Sequence, residues 1–226
     1  MKRTCNYGRP VAESRRRSVQ NDYYLKRLHD HGFFSAHSVG WTEFLQYELF
    51  DNLSAIFSER RCDESFSVLD AGSGLGDFAG QIRSMGFNSV RYTGIDIMPE
   101  MVEASRNKYT QDRFITGDFM KISFIELFDY AVCSGALNII TERTYDRHFD
   151  YVIQFAHKLY TITRHACAFN LLSESGRDYF HDKNDGFFYT DARRVRESCE
   201  KFSSNAVVTI REHAYTFTVH IFKGHD

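Results

Sequence analysis

Residues 66–79 read F-S-V-L-D-A-G-S-G-L-G-D-F-A, and their order decides the fold. A short apolar run, Ser67–Asp70, ends in an acid. Gly72, Gly74 and Gly76 follow at once, and a helical pattern begins after them. Strand, glycine turn and helix in that order build a ligand site for a physical reason. Without Cβ atoms the backbone turns sharply and a ligand can lie against it, while the helix offers unpaired N–H groups. In an open α/β sheet this position, at the carboxyl ends of the strands, is where ligands bind.

Further strand-like runs follow at 90–96, 113–116, 128–133 and 165–172, with helical stretches near 76–85, 99–108 and 144–162 between them. Alternating β and α implies a mostly parallel, doubly wound sheet covered on both faces. After a helix near 191–202, the runs 206–210 and 216–222 are separated only by R-E-H-A-Y. No crossover helix fits in five residues, so these two strands pair antiparallel as a hairpin. The expected fold is therefore α/β, with a seven-stranded Rossmann-like sheet closed by a C-terminal hairpin. Upstream, Trp41, Phe44, Leu45, Leu49, Leu53, Ile56 and Phe57 recur at three- and four-residue spacing, one helical stripe. Residues 1–65 are read as a helical cap or arm, and 66–226 as the core.

Composition narrows the class. Of 226 residues, 42% are hydrophobic and 26% charged, ordinary values for a globular protein. No apolar run approaches the roughly 20 residues of a membrane span, and the polar, arginine-rich N-terminus lacks a secretory pattern. Five scattered cysteines form no C-x-x-C pair, so a reduced, cytoplasmic protein without structural zinc is expected. His29 and His31 lack a third ligand at sensible spacing, and no metal site is expected. Residues 1–27 carry eight Lys/Arg against Glu13 and Asp22, although the whole chain sums to −2. Such an arm suits nucleic acid, an acidic partner or a plain solvated segment.

Two acids choose the ligand. The second strand ends at Asp96, twenty residues after Gly76, where a carboxylate can accept two hydrogen bonds from adjacent ribose hydroxyls. The frame Gly74-x-Gly76-x-x-Ala79 also fits the loose dinucleotide fingerprint. Asp77, however, stands three residues after Gly74, where it would repel a pyrophosphate. Asp70 likewise suits a cation. The turn favours a nucleoside cofactor with a positive charge and no phosphates.

These features resemble the class I S-adenosylmethionine-dependent methyltransferases, in particular the small single-domain group acting on small molecules. The acid-x-Gly-x-Gly-x-Gly motif matches Asp70–Gly76. The acid after the second strand, with the apolar residues covering adenine, matches Asp96, Ile97 and Met98. Gly117-Asp118 with Phe119 matches the segment facing the adenine amino group. Phe128–Gly135 matches the fourth strand, whose end borders the methionine part of the cofactor. The resemblance runs in order over about 66–223, with Pro99 after Met98 in place of a Ser or Asn cap. It implies S-adenosylmethionine held by Asp70, Gly72, Ser73, Gly74, Asp96, Ile97, Met98, Asp118, Phe119, Ser134 and Gly135. Trp41, at the end of S-V-G-W, joins this set, because that segment covers the cofactor in similar enzymes.

For the acceptor side, His37 is a candidate general base and Asn138 a candidate cleft residue. The aromatic-rich stretch 173–190 is long for a loop of this fold, and Tyr179 and Tyr189 are its candidate substrate contacts. Cys133 reads as a buried apolar side chain. The acceptor expected is a small molecule methylated on N or O, by a monomer or homodimer with no membrane partner. A nucleic-acid methyltransferase is the less favoured alternative, since C-S-G-A-L-N lacks the Pro-Pro-aromatic segment that grips a flipped base. A non-catalytic cofactor binder is the third.

Overall fold

A computed structural model of the protein describes residues 21–33, 35–177, 186–213 and 215–224. The helix α1 covers 21–31, and a 3-10 turn, Ala36–Val39, leads to α2, Glu43–Ser54. The core then alternates as expected: β1 (Ser67–Ala71), α3 (Asp77–Ser84), β2 (Arg91–Asp96), α4 (Pro99–Lys108), β3 (Arg113–Thr116), β4 (Phe128–Cys133), α5 (Tyr145–Thr161) and β5 (Thr163–Ser173). A two-residue strand β6 (Tyr189–Thr190), α6 (Ala192–Glu200), β7 (Ala206–Glu212) and β8 (Thr216–Lys223) complete it.

The sheet runs β3-β2-β1-β4-β5-β8-β7, with β6 paired to β5 off this path. The first five strands in that order are mutually parallel. β8 lies antiparallel between β5 and β7, so the chain's last strand fills an inner position. Seven strands form the continuous order, as the sequence implies. The eighth, β6, is too short to show a period-two pattern, and it pairs parallel to β5 at Leu172 and Ser173.

Local chemistry sets the helix ends. Thr144 caps α5 by accepting from Arg147 N, and the helix buries Phe149, Val152, Phe155, Ala156 and Leu159 on one face. α4 begins at Pro99 after Met98, which supplies no side-chain cap; the proline's missing N–H costs nothing in the first turn.

The N-terminal stripe needs one correction. α2 buries Leu49 and Leu53, and Leu53, Ile56 and Phe57 join one apolar cluster with Val68, Phe78 and Val132. Phe44 is 68% exposed. At about 100° per residue it lies nearly half a turn from the Leu49–Leu53 face, so spacing alone did not make it core. The segment before β1 is also tied to the sheet by polar contacts. His220 Nε2 and Asn52 O are 2.7 Å apart, and Arg60 Nε donates to Tyr130 Oη at 2.7 Å.

Candidate active site

Because β1 to β4 are parallel, their carboxyl ends share one edge of the sheet, and two adjoining cavities open there. One takes in about 1120 Å³, open solvent at its mouth included. Its floor is the glycine turn. Gly72 N and Ser73 N both donate to Ile95 O, at 2.7 and 3.0 Å, pinning the turn to β2. Gly72 sits at φ +83°, and a Cβ there would stand 2.3 Å from that of Ala136, so only glycine fits.

Asp96 closes one side. Its Oδ2 accepts from Gly74 N at 2.8 Å and its Oδ1 from Met98 N at 2.9 Å. Burial raises its pKa, and the backbone N–H groups oppose that rise by favouring the anion. A carboxylate has about four lone-pair sites, so two remain for a ligand. Asp70 is more perturbed. Burial pushes it up to about 7, the charge of Asp96 adds to the rise, and a hydrogen bond to its Oδ2 from the Tyr92 hydroxyl opposes it. Its Oδ1 has no partner among the described residues. A buried carboxylate oxygen without a donor, in a cavity lined by further acids, is what a cationic ligand requires.

Ile97, Met98, Asp118 and Phe119 line the same cavity, as do Ser73, Ser134, Gly135 and Trp41. Asp118 Oδ1 accepts from Met120 N at 3.0 Å, and Phe119 packs on Phe155 with ring centroids 4.6 Å apart. All twelve residues expected around the cofactor are thus brought together. Several others were missed: Tyr24, Gln46, Phe50, Tyr151 and Phe155 also line the space. Asn170, deep in β5, holds the end of β4. Its Oδ1 accepts from Gly135 N at 2.9 Å and its Nδ2 donates to Ser134 Oγ at 3.1 Å. No local motif marks it, since an asparagine within an apolar strand acquires meaning only from the neighbouring strand.

The second cavity, about 650 Å³ with its mouth, adjoins the first and shares Tyr24, Val39, Trp41 and Gly135 with it. Asn138 lies in its wall, 3% exposed. Its Oδ1 accepts from Leu172 N at 3.2 Å, and its carbonyl accepts from Phe188 N at 2.8 Å. Its Nδ2 has no partner among the described residues. Tyr189 lines this cavity too, with the Arg177 guanidinium 4.9 Å from its ring centroid. Phe187 joins the wall, whereas Phe188 is wholly buried against Tyr145 and His148.

One expected site residue lies away from both cavities. His37 is exposed in the turn before α2 and lines neither cavity; its ring lies 5.5 Å from that of His31. Its part is played by its backbone, whose carbonyl accepts from Arg27 Nε at 2.5 Å. A 3-10 turn spends the residue on chain reversal, and this leaves the imidazole outside. Tyr179 lies outside the described residues. Cys133 is fully buried, as expected, and burial drives its thiol pKa well up, which disfavours a thiolate.

Fold and site together resemble those of the class I S-adenosylmethionine-dependent methyltransferases, and the comparisons support an S-adenosylmethionine-dependent methyltransferase. Residues 68–158 match the family model described as a methyltransferase domain. A Mycobacterium tuberculosis H37Rv protein that carries a methyltransferase name, Rv1506c, is 27% identical over 163 residues, covering 71% of this chain and 95% of that one. Among solved structures, the plantazolicin methyltransferase BpumL superposes with a TM-score of 0.67 at 13% identity, over 95% of this chain and 98% of that one. That protein was solved with a desmethylplantazolicin analogue and S-adenosylhomocysteine. The PH0226 protein of Pyrococcus horikoshii OT3 gives a TM-score of 0.60 at 14% identity, over 88% and 98% of the two chains.

Proposed function

We propose that this protein transfers a methyl group from S-adenosylmethionine to a nitrogen or oxygen of a small-molecule acceptor. The observation that carries the reading is the junction of the two cavities: Tyr24, Val39, Trp41 and Gly135 border both. A cofactor in one and an acceptor in the other would therefore lie side by side.

S-Adenosylmethionine supplies an electrophilic methyl group on a positively charged sulfur. The remaining work belongs to the chain. Asp96 is assigned the ribose hydroxyls, Ile97, Met98 and Phe119 the adenine faces, and Asp118 the adenine amino group. Asp70 is assigned the cationic amino-acid end, beside Gly72, Ser73, Gly74, Ser134 and Gly135. Trp41 and Tyr24 cover the junction and exclude water, and the second cavity holds the acceptor in line. We assign residues 1–65 to a cap over a core of 66–226. The aromatic walls of the second cavity suit a small, flat acceptor.

Incubation with methyl-labelled cofactor tests this. S-Adenosylhomocysteine should accumulate with a metabolite fraction and not with RNA or DNA. Labelled nucleic acid, or cofactor binding without turnover on any fraction, would overturn the reading in favour of a nucleic-acid enzyme or a non-catalytic binder respectively.

A further inference from the structure

The two cavities differ in charge. The cofactor cavity gathers Asp70, Asp77, Asp96 and Asp118. The second has no Asp, Glu, His, Lys or Cys among its described lining residues, and its one charged group is Arg27. Arg27 donates through Nε to His37 O at 2.5 Å, and its guanidinium carbon stands 5.6 Å from the Tyr23 ring centroid. Among the described residues no carboxylate lies within ion-pair distance of it, so its charge is uncompensated within this wall. The same cavity holds Asn138, nine-tenths buried and more, with a free Nδ2. The assignment of that atom is fixed by its sister oxygen, which accepts from Leu172 N. A buried N–H pair without an acceptor is costly unless a ligand supplies one. The walls around these two donors are flat rings: Tyr23, Tyr24, Trp41, Phe187 and Tyr189.

We propose that the acceptor is a planar carboxylic acid, its carboxylate bound by Arg27 and Asn138 Nδ2 and methylated on oxygen. This rests on the methyltransferase reading above and narrows its acceptor. The chemistry balances without a protein base. A carboxylate oxygen forms the new C–O bond to the methyl carbon as the C–S bond breaks, and the electron pair of that bond stays on sulfur. Anion and cation neutralise each other to give a methyl ester and a thioether, and no proton is released. An amine or alcohol acceptor would leave a proton to be taken up. The described wall has no carboxylate, imidazole, amine or thiol to take it, and His37 is outside.

The test uses 2-naphthoate and 2-naphthylmethylamine, titrated calorimetrically into the full chain in the presence of S-adenosylhomocysteine. Turnover with S-adenosylmethionine is followed by mass spectrometry for the methyl ester. Wild type should bind the carboxylate and favour it over the amine. Arg27→Gln should weaken carboxylate binding by about tenfold or more, the scale of a lost charge-assisted hydrogen bond, and Arg27→Lys should recover part of it. Asn138→Asp keeps an oxygen for Leu172 N but replaces the donor with an anion, and should reverse the preference toward the amine. If Asn138→Asp fails to fold, the two variants at the partly exposed Arg27 carry the test. Preference of wild type for the amine, binding of neither probe, or unchanged carboxylate affinity in Arg27→Gln overturns the proposal. Binding of S-adenosylhomocysteine alone is measured first. Its failure strikes the methyltransferase reading, whereas its success with amine preference strikes only the carboxylate.

Discussion

Asp96, the last residue of β2, accepts the backbone N–H of Gly74 at 2.8 Å across twenty-two residues of sequence. The acid that ends one strand thereby fixes the glycine turn that follows another. Site assembly and ligand binding therefore share one side chain. Asp96→Ala should lower S-adenosylhomocysteine affinity by about tenfold or more, since hydrogen bonds to a charged group are worth roughly 1.5–3 kcal/mol. Asp96→Asn retains one carbonyl oxygen and should lose less. Calorimetric titration of both variants checks this, and wild-type affinity in Asp96→Ala refutes the ribose contact.

Asp70 predicts a pH dependence. Burial first, then the charge of Asp96, raise its pKa from 3.8 to about 7. The folded chain thus keeps a proton that the unfolded chain has lost. Its contribution to stability is fully present below about 3.8 and is lost as pH rises to about 7. The melting temperature of the ligand-free wild type should fall between pH 5 and pH 8 more than that of Asp70→Asn, under thermal scans in matched buffers. A steeper fall in the variant contradicts the assignment.

Tyr92 modulates the same group. Its hydroxyl donates to Asp70 Oδ2 and favours the carboxylate. Removing it in Tyr92→Phe should move the Asp70 titration further up. Affinity for S-adenosylhomocysteine, which carries an ammonium, should then drop at pH 7 and recover at higher pH. Calorimetry across pH reads this directly, and an identical profile to wild type rejects it.

Asn170 ties β5 to the Ser134–Gly135 corner with two hydrogen bonds. In Asn170→Leu the buried Gly135 N–H loses its acceptor, at a cost of about 1–3 kcal/mol. Denaturant unfolding should show that loss, and the KM for S-adenosylmethionine should rise. A stable variant with unchanged KM leaves Asn170 without the positioning role.

Trp41 is the one tryptophan of the chain and borders both cavities. Its fluorescence should change on addition of S-adenosylhomocysteine, and the signal should vanish in Trp41→Phe while calorimetric binding persists. A flat fluorescence titration at saturating ligand places the ligand elsewhere.

Much of this was written in the chain itself. Gly72, Gly74, Asp96 and Asp118 belong to strand-end motifs whose spacing follows from the α/β alternation. The parallel topology then carries each of those ends to the same edge. The cofactor cavity is legible because its determinants are local, one strand tip at a time. The hairpin was legible for the same reason, since five residues cannot hold a crossover. His37 lies exposed in a 3-10 turn, a local structure without a strong sequence signature, and lines neither cavity. The second cavity was legible only in part: Trp41, Asn138 and Tyr189 were named from their places along the chain, whereas Arg27 and Leu172 carry no local signal, and the five come from separate segments. An unpaired charge, an unpaired amide and a wall of rings become a binding surface only once folding sets them within one space. Sequence alone determined that a cationic nucleoside cofactor is held; tertiary packing decided what can stand beside it.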